Sequence, residues 1–151
     1  MDEDPESQRM REEKTESLRL IEREGLIKKL PYDRKKVDDA LAHAHRDLHT
    51  AHTILPADQD WAYTIAYNAV LQAGRALMFS KGYRPDGASQ HISVVKFAEL
   101  FLDKEEAIIF DRMRRKRNSS VYDMAGSISE TEAQSAVTHA GILLRRIEDL
   151  L

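Results

Sequence analysis

Five cations occupy six consecutive positions late in the chain: Arg112, Arg114, Arg115, Lys116 and Arg117, interrupted only by Met113. On a helix such a run wraps most of the circumference, and like charges this dense repel unless an anion relieves them. Phosphate is the natural partner for guanidinium groups, so contact with RNA or a nucleotide is one reading of these residues. The other is a hydrated helix end that the helix dipole favours, with acids of a neighbouring helix close by. Directly behind the run stands Arg117-Asn118-Ser119-Ser120-Val121-Tyr122-Asp123. Donors and acceptors collect there where a helix frays, and they make either a plain cap and turn or an oxyanion-binding corner without a strong base. Arg117, Asn118 and Tyr122 are the candidate catalytic residues. Arg112, Arg114, Arg115, Lys116 and Arg117 are the candidate phosphate contacts, with Asp123 in a supporting position behind them.

Histidine is the other chemically able residue type. His43, His45, His49 and His52 share one helix, and His45 and His49 have the four-residue spacing of a two-histidine metal clamp. No acid stands between them in the H-E-x-x-H order, and the apolar stripe of this helix runs past them. They are expected to be solvated flank residues that bind no metal. His91 stands at the start of a later helix, where it caps that helix or lines a cleft. His139 is isolated and is expected near the surface.

These residues are carried by helices. Val37, Leu41, Ala44, Leu48, Ala51 and Leu55 recur at alternating spacings of 4 and 3, which lines one helix face and ends at Pro56. Asp58 or Asp60 then caps a helix over residues 61–81 that is apolar on nearly every side and must be the central element. Gly82 stops it, and Tyr83-Arg84-Pro85-Asp86-Gly87 is a turn. A shorter helix follows over 90–102, then one over 104–118, acidic at its start and basic at its end. Ser129-Glu130-Thr131-Glu132 is a capping box for the last helix. Residues 1–30 read as a separate, charged helical arm: Asp2 to Glu24 holds nine acids and five bases around a thin stripe of Met10, Leu18, Leu20 and Ile21. That arm either frays or docks. No period of two survives anywhere, and roughly three-quarters of the chain is helical by this reading. The expected fold is all-α, an up-and-down antiparallel bundle of four to five core helices over residues 31–151 plus the N-terminal helix.

Composition bounds the function. The 151 residues suffice for one domain with its own core. The absence of cysteine removes disulfide frameworks, zinc–thiolate and iron–sulfur sites and a cysteine nucleophile. A net charge of −3 means that any nucleic-acid role must come from local clustering. No run approaches a membrane span, and the acidic MDEDPESQ start has none of the features of a signal or transit peptide. A cytoplasmic protein without a cofactor or a membrane is the expectation.

The order of DDALAHAHRDL, then AYTIAYNAVLQAGRALMFSKGYRP with His91 just beyond it, then a helix ending in R-N and an R-x4-Y-D segment before a capped final helix, resembles the HEPN domain over about residues 31–151. The resemblance implies a helical bundle that commonly forms homodimers. Many such domains are metal-independent ribonucleases or toxins paired with a small nucleotidyltransferase. Their motif is an Arg and a polar residue followed, after a short gap, by a His. Arg117 and Asn118 match the first two, while the His position falls on Tyr122. A phenol with pKa of about 10 offers roughly 10³-fold less base at neutral pH than an imidazole at about 6.5. The subgroup lacking the His is the one this chain resembles. A tyrosine two positions further on, modified in some members, is Met124 here.

The expectation is therefore a dimeric protein that binds the phosphate of RNA or a nucleotide, a weak or inactive relative of the ribonucleases, paired with a nucleotidyltransferase in a toxin–antitoxin type system. Its basic helices would approach across the two-fold axis. One alternative is a metal-independent endoribonuclease toxin in which Tyr122 or a distant His shuttles the proton. The other is a non-catalytic protein-interaction module.

Overall fold

The computed structural model describes residues 2–122 and 126–151, with side chains throughout except at 120–122. Helix α3 (Gln59–Ser80) is the axis of the fold, and α2 (Arg34–Ile54), α4 (Gln90–Glu99), α5 (Lys104–Tyr122) and α6 (Glu130–Leu150) all pack against it. Its own sequence dictates that position. Thirteen of its residues, from Ala62 to Met78, are buried, and no single polar face is left over. Alanines make the contact close: Ala44 and Ala51 of α2, Ala66, Ala69 and Ala73 of α3, and Ala133 and Ala140 of α6 are fully enclosed. Side chains this small let helix backbones approach without large gaps.

Helix α2 is rotated slightly from the stripe expected of it. Val37, Ala40, Ala44, Asp47 and Ala51 are buried, while Leu41, Leu48 and Leu55 pack partly buried at the edges. The short side chains lie under the helix, and the leucines reach sideways. Asp47 tolerates burial because Asn68 Nδ2 donates to Oδ2 at 2.8 Å and Arg46 donates to Oδ1 at 3.3 Å.

Two expectations are corrected. A small sheet exists: β1 (Ile27–Lys29) pairs antiparallel with β2 (Tyr83–Pro85), Lys28 opposite Arg84. Three residues are too few for a period of two to show, and the backbone bonds Leu30 N to Gly82 O and Asp86 N to Leu26 O extend the pairing at both ends. Residues 26–30, on the arm side of the expected boundary, are thus joined to the chain between α3 and α4, and Ile27 is only 2% exposed. The second correction concerns α5, which runs on to Tyr122 instead of ending at Asn118. Ser119, Ser120 and Val121 are weak helix formers but not breakers.

Helix α1 (Pro5–Arg23) begins at the Asp4 cap and buries no residue completely. It docks nonetheless: Leu18 and Ile21 pack against the core, and α1 touches α4 and β1. Gly25, at φ +79°, turns the chain from α1 into β1. Among the described residues no helix is long and apolar enough to cross a membrane.

Candidate functional site

The chain between β2 and α4 fixes one wall of an open cleft. Gly87, at φ +78°, makes the turn, and a side chain there would press on the Gly25 carbonyl at 3.1 Å. Ser93, fully buried, donates its hydroxyl back to the Ser89 carbonyl at 3.2 Å and pins the first turn of α4. Ser89 caps α4 by position alone, because its side chain makes no capping hydrogen bond. Across from Ser89, Gln90 and His91 stand Arg114, Arg117 and Asn118 of α5, and together they line a cavity of about 440 Å³.

Behind His91, α3 supplies its support. Tyr67 is 1% exposed, and its hydroxyl lies 3.1 Å from His91 Nδ1. Phe110 packs beside the phenol at 6.2 Å between ring centroids. Burial raises the Tyr67 phenol far above its ordinary pKa, against the opposing pull of Arg114 and Arg117. Burial also lowers the His91 imidazole, and the nearby Arg117, Arg75 and Arg114 add to the effect, so the ring is neutral at neutral pH. Arg117 donates from Nη1 to Asn118 Oδ1 at 3.2 Å. Arg114, 18% exposed, is held by Asp111 Oδ1 at 3.0 Å. The cleft therefore combines two guanidinium groups, an amide, a hydroxyl and a neutral imidazole. That set can bind and orient an anion, and a proton donor or acceptor sits beside it.

The basic run does not act as one patch. Arg114, Arg117 and Asn118 face the cleft. Arg115 is largely exposed and pairs with Asp111 Oδ2 at 3.2 Å. Lys116 reaches α6 and pairs with Glu132 at 3.2 Å. Arg112 lines a second cavity of about 340 Å³ with Tyr63 and His139, where burial pushes the Tyr63 phenol up to about 12. Three of the five cations, Arg114, Arg115 and Lys116, thus find carboxylates within the chain. Tyr122 closes α5, its side chain outside the described residues, and Asp123 lies outside them altogether.

The four histidines of α2 are exposed, and His45 meets Glu148 at 3.1 Å. Among the described residues no group of three His, Asp or Glu side chains is placed to hold a metal ion. The sequence leaves His91 between capping its helix and lining a cleft, and it lines the cleft. Its signal is only its place just inside a helix start, because the partner that orients it, Tyr67, is 24 positions away on α3.

A family model described as the HEPN domain matches residues 37–150, which takes in α2 from Val37 onward, α3 through α6 and the whole cleft. Among solved structures, the crystal structure of TT1696 from Thermus thermophilus is similar at a TM-score of 0.58 and 22% identity, over 77% of this chain and 98% of that one. At that identity the likeness is one of fold. No curated protein matches the chain.

Proposed function

The chain belongs to the HEPN domain family, and from that premise we propose that its α4–α5 cleft binds the phosphate of RNA or of a nucleotide, with weak or no hydrolysis of its own. The observation that carries this reading is the convergence of Arg114, Arg117 and Asn118 on the cleft that His91 and the first turn of α4 close. Guanidinium groups match phosphate oxygens in geometry and charge. The free amides and positive dipole end of a ten-residue helix favour the same ligand from the opposite wall. Weak hydrolysis follows from Tyr122, which stands where the family motif has its His. A second reading, a metal-independent endoribonuclease, draws on His91 as the histidine supplied from elsewhere in the chain; cleavage of RNA that chelators do not stop would support it. Homodimer formation and pairing with a nucleotidyltransferase rest on the habit of the family.

Removal of Arg117 tests the main reading. Arg117→Ala should weaken binding of a short oligoribonucleotide or a nucleoside monophosphate by about 1–3 kcal/mol. Parent affinity should also fall as salt rises, through counterion release. Tyr122→Phe should cost less, and Tyr122→His, which restores the family spacing, should gain metal-independent cleavage if the site is merely degenerate. Equal binding by Arg117→Ala and the parent, at low and moderate salt, overturns the phosphate site. Light scattering on the same samples tests the dimer, which a monomeric mass at micromolar concentration rules out.

A further inference from the structure

Within the phosphate-binding reading of the cleft, on which this rests, we infer that Tyr67 fixes His91 in the tautomer carrying its proton on Nε2, so that His91 presents a hydrogen-bond donor, and no base, to the bound phosphate. The ground is the single contact between them. Tyr67 is enclosed at 1% exposure, and among the described residues His91 Nδ1, at 3.1 Å, is the one hydrogen-bond partner of its hydroxyl. A phenol and a neutral imidazole can share that bond in two ways. If Nδ1 carried the proton and donated to the phenol oxygen, the phenol hydrogen would be left buried without an acceptor, an arrangement proteins avoid. If the phenol donates to Nδ1, both groups are satisfied and the ring proton belongs on Nε2.

The ring's surroundings decide its charge. Arg75 of α3 and Arg114 and Arg117 of α5 all disfavour an imidazolium, as does burial, so His91 holds one proton and not two. The phenol is itself held protonated by burial, which keeps it the donor of the pair. His91 lines the cleft and Nδ1 is committed to the interior, so Nε2 is the nitrogen left for a ligand. A neutral N–H there adds a directed bond to a phosphate oxygen beside Arg114 and Arg117 without adding a third cation to a crowded pair. It also has no lone pair on that nitrogen to accept a proton from a ribose 2′-hydroxyl. The cleft is then a receptor for phosphate that lacks proton abstraction. Tyr67 is the positioning residue of that receptor.

The test uses the full chain at about pH 7.5, above the ordinary imidazole pKa of about 6.5. Proton–nitrogen correlation spectra of isotope-labelled histidine side chains, assigned with His91→Gln, should show Nε2 protonated in the free parent. Adding inorganic phosphate or a nucleoside monophosphate should move that proton's resonance downfield. Tyr67→Phe keeps the ring and removes the hydroxyl, and should shift the tautomer balance toward Nδ1. His91→Ala should lower affinity for the nucleotide by about 10–150-fold, the range of one lost hydrogen bond to an ion. His91→Gln, which keeps an N–H donor but has no titratable base, should recover most of that loss. A parent with Nδ1 protonated, a Gln variant that binds as poorly as Ala, or RNA cleavage by the parent that Gln abolishes would each overturn the inference while leaving phosphate binding in place. A parent that binds neither phosphate nor nucleotide removes the binding reading itself, and this inference falls with it.

Discussion

His91 ties the cleft to the stability of the fold through protons. Its imidazole lies below the ordinary value, chiefly from burial and then from Arg117, Arg75 and Arg114. An unfolded chain therefore takes up a proton near pH ~6.5 that the folded chain refuses until a lower pH. The sign follows: the unfolded state binds more protons in that window, so folding stability falls as pH drops through it. Glu132, lowered by its bond from the Ser129 amide and by Lys116, adds a loss of its own at lower pH, so the comparison must be between parent and variant. Urea midpoints measured from about pH 7 to about pH 5 should decline less steeply in His91→Gln than in the parent. Identical slopes would assign the decline to other groups. At this scale half of the site is legible in the sequence. Arg117 and Asn118 announce themselves by charge and position, and the structure puts them in the cleft. His91 does not, since a histidine's function depends on what touches its second nitrogen, and Tyr67 reads as one more aromatic in an apolar helix. Arg112, Arg115 and Lys116 group with Arg117 in the sequence because it orders neighbours along a line, whereas a helix separates them by about 100° per residue.

The packing of α4 on α3 governs where the cleft wall stands. Gly74 is buried on α3, and a Cβ at that position would sit 2.5 Å from Val94 Cγ1 of α4 and 3.6 Å from Phe110 of α5. Alanine is the better helix former by about 1 kcal/mol, yet overpacking of a closed contact costs about 1–3 kcal/mol. Gly74→Ala should therefore lower stability by about 1 kcal/mol and weaken nucleotide binding, because α4 carries His91 and must back away. Unchanged thermal stability together with unchanged affinity would show that Val94 gives way instead. The main elements are legible because their signals are long: a 3–4 stripe in α2, a continuous apolar run in α3, and the Ser129–Glu132 capping box that opens α6 as expected. Short signals fail. The strands have three residues each, and the end of α5 has no Gly or Pro to mark it before Gly126. The burial of Asp47 needs Asn68 from another helix, and no pattern within α2 predicts it.

At the scale of the molecule, the family match begins after α1 and β1, yet both elements bear on the cleft. Helix α1 lies on α4, and β1 holds the segment that leads into α4. Ile27→Ala should test this clasp: Ile27 is almost fully enclosed in the main core, and its truncation should cost about 2–5 kcal/mol. A chemical denaturation midpoint that barely moves would mean the bundle stands without β1. The pairing of β1 with β2 has a kinetic side as well. It joins chain on the near side of α2 to chain on the far side of α3, so it closes a loop that contains both helices. Contacts within the α2–α3 hairpin are local and form early, whereas a closure of that span must wait until the hairpin has brought its ends together. The strand pair, and with it the final seating of α4, is therefore expected to assemble last and open first. Amide exchange should accordingly leave β1 and the first turn of α4 among the least protected backbone and the centre of α3 the most, so the cleft lies in the part of the molecule that can loosen while the axis stays folded.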